Sequence, residues 1–169
     1  AAAGAEDRGL LWVGGLLVLV GFGAKAGAFP LHIWLPTAHP AAPAPASAVL
    51  SGVITKTGIY GVLVLSTTVF LHDKQWGMLL AVLGAVTMVL GAVLAVLSVD
   101  LKRTLACSSI SQIGFILVGT AMLCLLGEHN ALAVDGTILH ILNHSLIKMV
   151  LFPAAGIIHL TTHSFDLND

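Results

Sequence analysis

Residues 136–159 read GTILHILNHSLIKMVLFPAAGIIH, an apolar run that nevertheless contains His140, His144 and Lys148. A run of about 20 mostly apolar residues is long enough to cross a bilayer as a helix. The three ionisable side chains are spaced four residues apart. On a helix they form one slowly turning stripe, with roughly 6 Å of rise between neighbours. The stretch therefore predicts a membrane helix that carries a line of protonatable groups.

The composition of the whole chain agrees with a membrane setting. Hydrophobic residues make up 57% of it, charged residues 9%, and the mean hydropathy is +1.01. Soluble domains average about 25% charged residues. We therefore expect an all-α, polytopic transmembrane bundle with the lipid bilayer as a partner. The net charge of −1 and the absence of a basic run argue against nucleic acid as a partner.

Continuous apolar windows predict five membrane spans joined by short turns, which form one transmembrane domain over residues 1–169. The expected spans cover about residues 9–35, 45–71, 75–99, 101–126 and 136–159. The chain opens on AAAGAEDRG, with no initiator Met and no basic segment typical of a signal peptide. This opening predicts an internal piece of a longer membrane protein.

The first span is expected to be broken at GAKAGAFP, residues 23–30. Pro30 has no N–H, so it frees the carbonyl of Ala26. A broken helix at membrane depth is tolerated only where protein or a watery cavity surrounds it. The following segment, PTAHPAAPAP, contains four prolines that are expected to prevent helix until the second span begins. Pro45 suits the first turn of that span.

The placement of charge is the most informative feature of the sequence. All eight carboxylates fall in expected loops or at span ends, whereas Lys25, Lys56 and Lys148 do not. Each of these lysines is roughly 16–18 Å from a helix end, against a hydrocarbon core of about 30 Å. A lysine at a helix centre costs on the order of 2.5–3.5 kcal/mol. A lysine that exchanges between amine and ammonium can carry a proton, and histidine titrates nearest neutrality. We therefore predict a proton relay along Lys25, Lys56, His140, His144 and Lys148.

Other interpretations of these residues are weaker. Any one lysine could be a structural tie to a carbonyl freed by Pro30 or Pro153, but three such ties together are improbable. The segment HILNH has the histidine spacing of a metal site but lacks the glutamate of a zincin helix. The remaining histidines fall at expected span ends or loops, which argues against haem. No nucleotide loop, nucleophile arrangement or cluster-binding cysteine run is present. We expect no catalytic site, metal or cofactor in this chain.

Three blocks of the sequence resemble a known family in the same order. They are GFGAKAGAFPLHIWLPTAHPAAPAPASAVLSGVITKTGIYG, DLKRTLACSSISQIGFILVG and ILHILNHSLIKMVLFPAAGIIHLTTHSFDLND. The family comprises the antiporter-like subunits of NADH:quinone oxidoreductase (complex I), of multisubunit sodium/proton antiporters and of energy-converting membrane-bound hydrogenases. The resemblance covers residues 10–169.

The resemblance implies a role for each lysine. These subunits contain two inverted repeats of five helices, and the chain is similar to their seventh to eleventh helices. Lys25 is then the central proton carrier of one half-channel, and Lys56 connects the two half-channels. His140, His144 and Lys148 link toward a residue on the twelfth helix. The fifth-helix glutamate that pairs with the first lysine has no counterpart in this chain.

The resemblance also implies a function and a setting. The expected function is proton translocation within a redox-driven respiratory or hydrogenase complex, beside other membrane subunits, in a bacterial or archaeal cell membrane. Any oxidoreductase activity would belong to that complex. An alternative is a subunit of a multisubunit Na⁺(K⁺)/H⁺ antiporter, and an alternative of another class is a structural membrane subunit that transports nothing. Pro153 departs from the family pattern: it frees the Met149 carbonyl as an extra ligand for Lys148 and argues against a straight eleventh helix.

Overall fold

The computed structural model describes residues 2–129 and 131–168, without the side chains of residues 2–6 and 128. This part of the chain is helical, with one isolated bridge between Asp100 and Asp166 and no extended strand. The described residues form seven α-helices, one π-helical turn at Leu50–Ile54 and one 3₁₀ turn at Gly127–His129. The α-helices are α1 Ala2–Ala26, α2 Trp34–Ala41, α3 Ala44–Val49, α4 Thr55–Thr68, α5 Lys74–Val96, α6 Leu101–Leu125 and α7 Ala131–Thr162.

Five helical segments of the described chain are long and apolar enough to cross a membrane. They are Asp7–Ala26, Ala44–Thr68, Lys74–Val96, Leu101–Leu125 and Ala131–Thr162. The all-α polytopic fold predicted from the sequence is therefore confirmed. The last span begins five residues before its expected start at residue 136, because Ala131 and the apolar residues after it continue the helix across Asp135.

The break in the first span lies where the sequence predicts it, but a glycine rather than Pro30 ends the helix. Gly27 has φ 82°, a backbone conformation that favours glycine. Its N–H donates to Ala24 O at 3.1 Å, and the Ala28 N–H donates to Gly23 O at 2.9 Å. This is a Schellman closure of α1. The predicted break of the first span is therefore confirmed, with α1 ending at Ala26.

The proline-rich connection is also helical, contrary to expectation. Helix α2 contains both Pro36 and Pro40. Pro36 lies in the first turn, where backbone N–H groups have no partner within the helix. Pro40 lies in the last turn, so its missing N–H removes only one hydrogen bond from the end of the helix. The Ala42 N–H closes α2 on Ala38 O at 3.0 Å.

The second span carries a π-helical turn that the sequence does not predict. The Thr55 N–H donates to Leu50 O, five residues earlier, and the chain then resumes as α4. A π-turn inserts one residue into the helical repeat and redirects the carbonyl groups around it. The π-turn ends at Ile54, two residues before Lys56 and in the middle of the span.

Glycine permits close packing between the spans. A Cβ added at Gly58 of α4 would lie 2.6 Å from Phe22 O and 2.6 Å from Ala26 N of α1. Gly84 of α5 faces the Gly114 carbonyl of α6 in the same way, at 2.9 Å. These contacts involve backbone atoms, so no side chain can move aside to relieve them.

Replacing Gly58 with Ala should destabilise the protein by about 1–3 kcal/mol, because overpacking forces the helices apart. Thermal unfolding in detergent measures the change. Gly21→Ala is the matched control, since a Cβ at Gly21 of α1 meets nothing within 4 Å. Equal stability of the two variants would contradict the packing account.

Candidate functional site

Lys56 is the second residue of α4 and lies in the interior of the bundle, with 9% of its surface exposed. Its Nζ donates to the backbone carbonyl of Ser51 at 2.6 Å, and the Thr55 hydroxyl donates to the same oxygen at 3.0 Å. Ser51 belongs to the π-turn. The irregular backbone therefore supplies an acceptor for the amine. Within the described part of the chain, no carboxylate lies at ion-pair distance from Lys56.

Lys148 of α7 is held by the neighbouring helix α6. It is 3% exposed, and its Nζ donates to Leu105 O at 2.8 Å and to Ser108 Oγ at 2.5 Å. The expected ligand, the Met149 carbonyl freed by Pro153, is not among these acceptors. The amine reaches across to α6 instead, because a helical side chain leans toward the N-terminus whereas the Met149 carbonyl points toward the C-terminus. Helix α7 continues through Pro153 to Thr162.

The histidines of the stripe lie beside Lys148 on the same helix. His144 is 4% exposed, and neither of its ring nitrogens has a hydrogen-bond partner among the described residues. The ring centroids of His140 and His144 are 6.4 Å apart and their planes differ by 15°. Nε2 of His140 is also buried without a partner in the described chain. Buried polar groups usually bind protein or water, so these nitrogens indicate sites for water.

A cavity of about 260 Å³ lies between α6 and α7 at this point. Its lining combines the histidine stripe with polar groups of both helices: Ser108, Gln112, His140, Asn143, His144, Ile147, Lys148 and Leu151. A water molecule occupies about 30 Å³ in the liquid and needs two to four polar partners. The cavity is therefore large enough and polar enough to hold several waters against the unpartnered imidazoles.

The structure does not bring Lys25 to the other relay residues. Lys25 lies in the last turn of α1 with its side chain exposed, and it makes no hydrogen bond or ion pair to the residues described. Trp34 Nε1 donates to Ala24 O at 2.8 Å, and the Phe29 N–H donates to Thr87 Oγ1 at 3.2 Å. These bonds hold the broken segment in place. Pro30 follows Phe29 on the exposed side of that segment.

His39 is a candidate residue that sequence reasoning missed, because it was expected in a proline-rich loop. It lies in α2, is fully buried, and stacks on Phe152 of α7 with ring centroids 4.6 Å apart. Neither ring nitrogen has a partner in the described chain. Burial, and then the charges of Lys148, Lys102 and Lys56, lower the pKa of His39 from 6.5 to about 4. The residue is therefore neutral at physiological pH.

The depressed pKa of His39 predicts a loss of stability in acid. The unfolded chain takes up a proton at about pH 6.5, whereas the folded chain resists it until about pH 4. Above pH 6.5 the free energy of unfolding does not depend on the titration of His39. It decreases as the pH falls from 6.5 toward 4. In His39→Leu, thermal unfolding at about pH 4 and about pH 7 should differ less than in the parent. An equal difference in both proteins would contradict this account.

Lys102 is a further buried lysine, at the second position of α6 and near the expected start of the fourth span. Its Nζ donates to Ala42 O at 2.8 Å and lies 4.4 Å from the centroid of the Phe165 ring. The ring of His159 stacks on the same Phe165 ring, with centroids 4.0 Å apart. The Leu101 N–H also donates to Phe165 O at 2.8 Å. The cluster ties the end of α2, the start of α6 and the segment after α7 together.

Among the residues that the structure describes, no group of three His, Cys, Asp or Glu side chains is placed to hold a metal ion. The chemical groups that the fold gathers at membrane depth are amines, imidazoles and hydroxyls. These groups exchange protons and bind water. The arrangement is suited to proton transfer.

Comparison with known proteins supports the same family that the sequence blocks resemble. Residues 3–169 match the family described as NADH:quinone oxidoreductase/Mrp antiporter, TM. Hydrogenase-4 component B of Escherichia coli (strain K12) is 44% identical over 160 residues, which are 90% of this chain and 24% of that protein. NAD(P)H-quinone oxidoreductase chain 4 1 of Picosynechococcus sp. is 42% identical over 153 residues, 89% of this chain and 27% of that protein.

Two solved structures share the fold. A chain in the structure of the Mrp complex from Dietzia sp. DQ12-45-1b aligns with a TM-score of 0.80 and 31% identity, over 88% of this chain and 27% of that chain. A chain of the membrane-bound sulfane sulfur reductase, an archaeal respiratory membrane complex, aligns with a TM-score of 0.76 and 28% identity. That alignment covers 92% of this chain and 31% of the other. The chain thus spans about a quarter of the length of the curated relatives it matches. This integral membrane chain belongs to the NADH:quinone oxidoreductase/Mrp antiporter family of transmembrane proteins.

Proposed function

We propose that this chain relays protons through the membrane interior along Lys25, Lys56, His140, His144 and Lys148. The observation that carries the proposal is the setting of Lys56 and Lys148. Both amines are buried at membrane depth and bond to neutral oxygens, without a carboxylate partner in the described chain. An unpaired lysine at this depth is costly, and intramembrane ionisable residues of this kind mark ion pathways.

The polar cavity supports a route for the proton. Lys148 lines one end of it and His140 lines the other, with His144 between them on α7. A charged lysine becomes a neutral amine when it gives up a proton, and a neutral imidazole can accept a proton on one nitrogen while the other releases one. Water in the cavity would bridge gaps that exceed hydrogen-bond length. Charge therefore moves as a proton while the heavy atoms stay in place.

In this proposal, Lys25 lies on the outer surface of the bundle, where its side chain is exposed. Its exposed amine at the break of the first span is positioned to meet a neighbouring membrane segment. A carboxylate on that segment would stabilise the ammonium form, and its withdrawal would favour release of the proton. This assigns Lys25 to an interface with other membrane subunits or segments.

The relatives favour a redox-driven complex in a bacterial or archaeal cell membrane as the setting. Their names refer to hydrogenase-4 and to NAD(P)H-quinone oxidoreductase. The likeness to the Mrp complex structure favours a second candidate, a subunit of an Na⁺(K⁺)/H⁺ antiporter. A third candidate, from another class, is a structural subunit that moves no ion.

Proton flux in vesicles tests the proposal. With the chain in its native assembly, replacing His144 with Leu should lower the flux by about 100-fold, since a positioned proton-transfer group is typically worth that much or more. His129→Leu is the matched control, because His129 is exposed in the 3₁₀ turn. Flux that depends on a sodium gradient would favour the antiporter. Loss of assembly with unchanged flux per assembled complex would favour the structural subunit and refute the relay.

A further inference from the structure

A buried pair of hydroxyls lies between the two lysine sites. Ser51 of the π-turn and Ser109 of α6 are both fully buried, and their Oγ atoms are 2.8 Å apart. Ser51 also provides the carbonyl that binds Lys56. Ser109 also donates to Leu105 O at 3.0 Å, the carbonyl that binds Lys148. The Ser51–Ser109 hydrogen bond therefore connects the carbonyl-bearing residue that binds Lys56 with a hydroxyl that shares an acceptor with Lys148.

The carbonyl of Leu105 has more donors than it can fully accept. A backbone carbonyl has two lone pairs, and within α6 one of them faces the N–H four residues later. The hydroxyls of Ser108 and Ser109 lie 2.9 Å and 3.0 Å from this oxygen, and Lys148 Nζ lies at 2.8 Å. These three donors compete for the remaining lone pair. A charged Lys148 is the strongest of them, since charge-assisted hydrogen bonds are roughly twice as strong as neutral ones.

This competition bears on the direction of the Ser51–Ser109 hydrogen bond, in which either oxygen can be the donor. Each hydroxyl has a single hydrogen. When Lys148 is charged and occupies Leu105 O, the Ser109 hydroxyl turns to donate to Ser51. When Lys148 is neutral, its amine still has N–H donors but competes for Leu105 O without the added strength of charge. Ser109 then donates to Leu105 O, and Ser51 donates to Ser109. The pair thus has two orientations, and the charge on Lys148 selects between them.

The orientation matters to Lys56 because hydroxyl dipoles act on nearby charges. With Ser109 donating to Ser51, the hydrogen of the Ser109 hydroxyl points toward Ser51 of the π-turn, the residue whose carbonyl binds Lys56. That arrangement disfavours a second positive charge at Lys56. The reverse orientation favours it, and in a water-poor interior such effects are stronger than in water.

We propose that the Ser51–Ser109 hydroxyl pair couples the charge states of Lys56 and Lys148, so that the two lysines together hold one excess proton. Both serines act as positioning residues. The consequence for transport rests on the proposed relay. If the two lysines share one excess proton, that proton can move from one lysine to the other, whereas two independent lysines would each keep a proton. The coupling itself can be measured whether or not the chain transports protons.

Other titratable groups face the two lysines and must be held constant in any test. They are His39 on α2, Cys107 on α6, and His140 and His144 on α7, and Lys102 of α6 acts on His39. Lys25 lies on α1, which packs against α4, but its side chain points outward. Each of these groups remains in every variant below, so it contributes equally to all of them.

The test uses ¹⁵N NMR of lysine side chains in the chain within its native assembly. In the parent, Lys148→Met should move the titration midpoint of Lys56. In Ser109→Ala and in Ser51→Ala, the same Lys148→Met change should move that midpoint by less than half as much. Ser145→Ala is the matched control, because Ser145 bonds only to Ile141 O of its own helix, at 2.8 Å. It should leave the full shift.

The two serine variants remove one hydroxyl each from different helices, so each tests the pair independently. An undiminished shift in either variant would overturn the coupling. Flux should fall by about fivefold to tenfold in each serine variant, the value of one hydrogen bond. Unchanged flux in Lys56→Met would refute the relay but leave the NMR result to decide the coupling, so the two failures are distinguishable.

Discussion

Replacing Lys56 with Met should abolish proton flux while leaving the assembled protein intact. Met is apolar and close to Lys in length, so it fills the same space without carrying a proton. The amine bonds only to Ser51 O in the described chain, and Thr55 continues to donate to that carbonyl when the amine is gone. The fold therefore loses little. Removing a proton-transfer group typically costs about 100-fold or more in rate.

Proton uptake by vesicles under an imposed pH gradient measures this effect. Lys74→Met is the matched control, because Lys74 lies at the first residue of α5, next to the turn, with its side chain exposed. Lys56→Arg is a second comparison: arginine keeps the charge but does not release its proton, so it should also be inactive. Flux in Lys56→Met equal to that of the parent would exclude Lys56 as a carrier.

Replacing Lys148 with Met should have an effect of similar size for a different reason. Lys148 occupies the end of the polar cavity and closes the contact between α7 and α6 through Leu105 O and Ser108. The histidine stripe would remain, but it would lose the residue that delivers or receives its proton. We expect flux to fall about 100-fold or more. Detergent-resistant assembly should persist, because Met packs well in irregular apolar sites.

A comparison within α7 makes this second prediction specific. Ser145→Ala alters a polar residue three positions away that bonds only within its own helix. Its flux should match the parent. If Lys148→Met disrupts assembly, the flux of Lys148→Gln is measured instead, because glutamine retains a donor for Leu105 O. Parent-like flux in an assembled Lys148 variant would show that the stripe ends before this residue.

The sequence predicts the fold class and the helical placement of Lys56 and Lys148, because hydropathy and spacing are periodic signals. A long apolar run without charge is buried in lipid or protein, and a lysine within such a run is an exception that indicates a functional position. The break of the first span was predictable for a related reason, since glycine and proline punctuate helices. The sequence attributes that break to Pro30, whereas Gly27 ends α1 in the structure.

Other features depend on contacts between distant parts of the chain, which no local pattern encodes. His39 lies among prolines that favour a loop, yet Phe152 from α7 stacks on it and buries it. The π-turn before Lys56 has no composition signal. The acceptors of Lys148 come from α6, some 40 residues away in sequence. Lys25 shows the converse: its position in the sequence predicts burial, whereas its side chain is exposed in the described bundle. The relay as a whole remains a prediction.

The most direct measurement of the central claim is the proton flux of the double variant Lys56→Met/Lys148→Met, assembled with its native membrane partners in sealed vesicles under a pH gradient. The account predicts flux equal to that of protein-free vesicles, with assembly retained. Flux equal to that of the parent in the assembled double variant would contradict it.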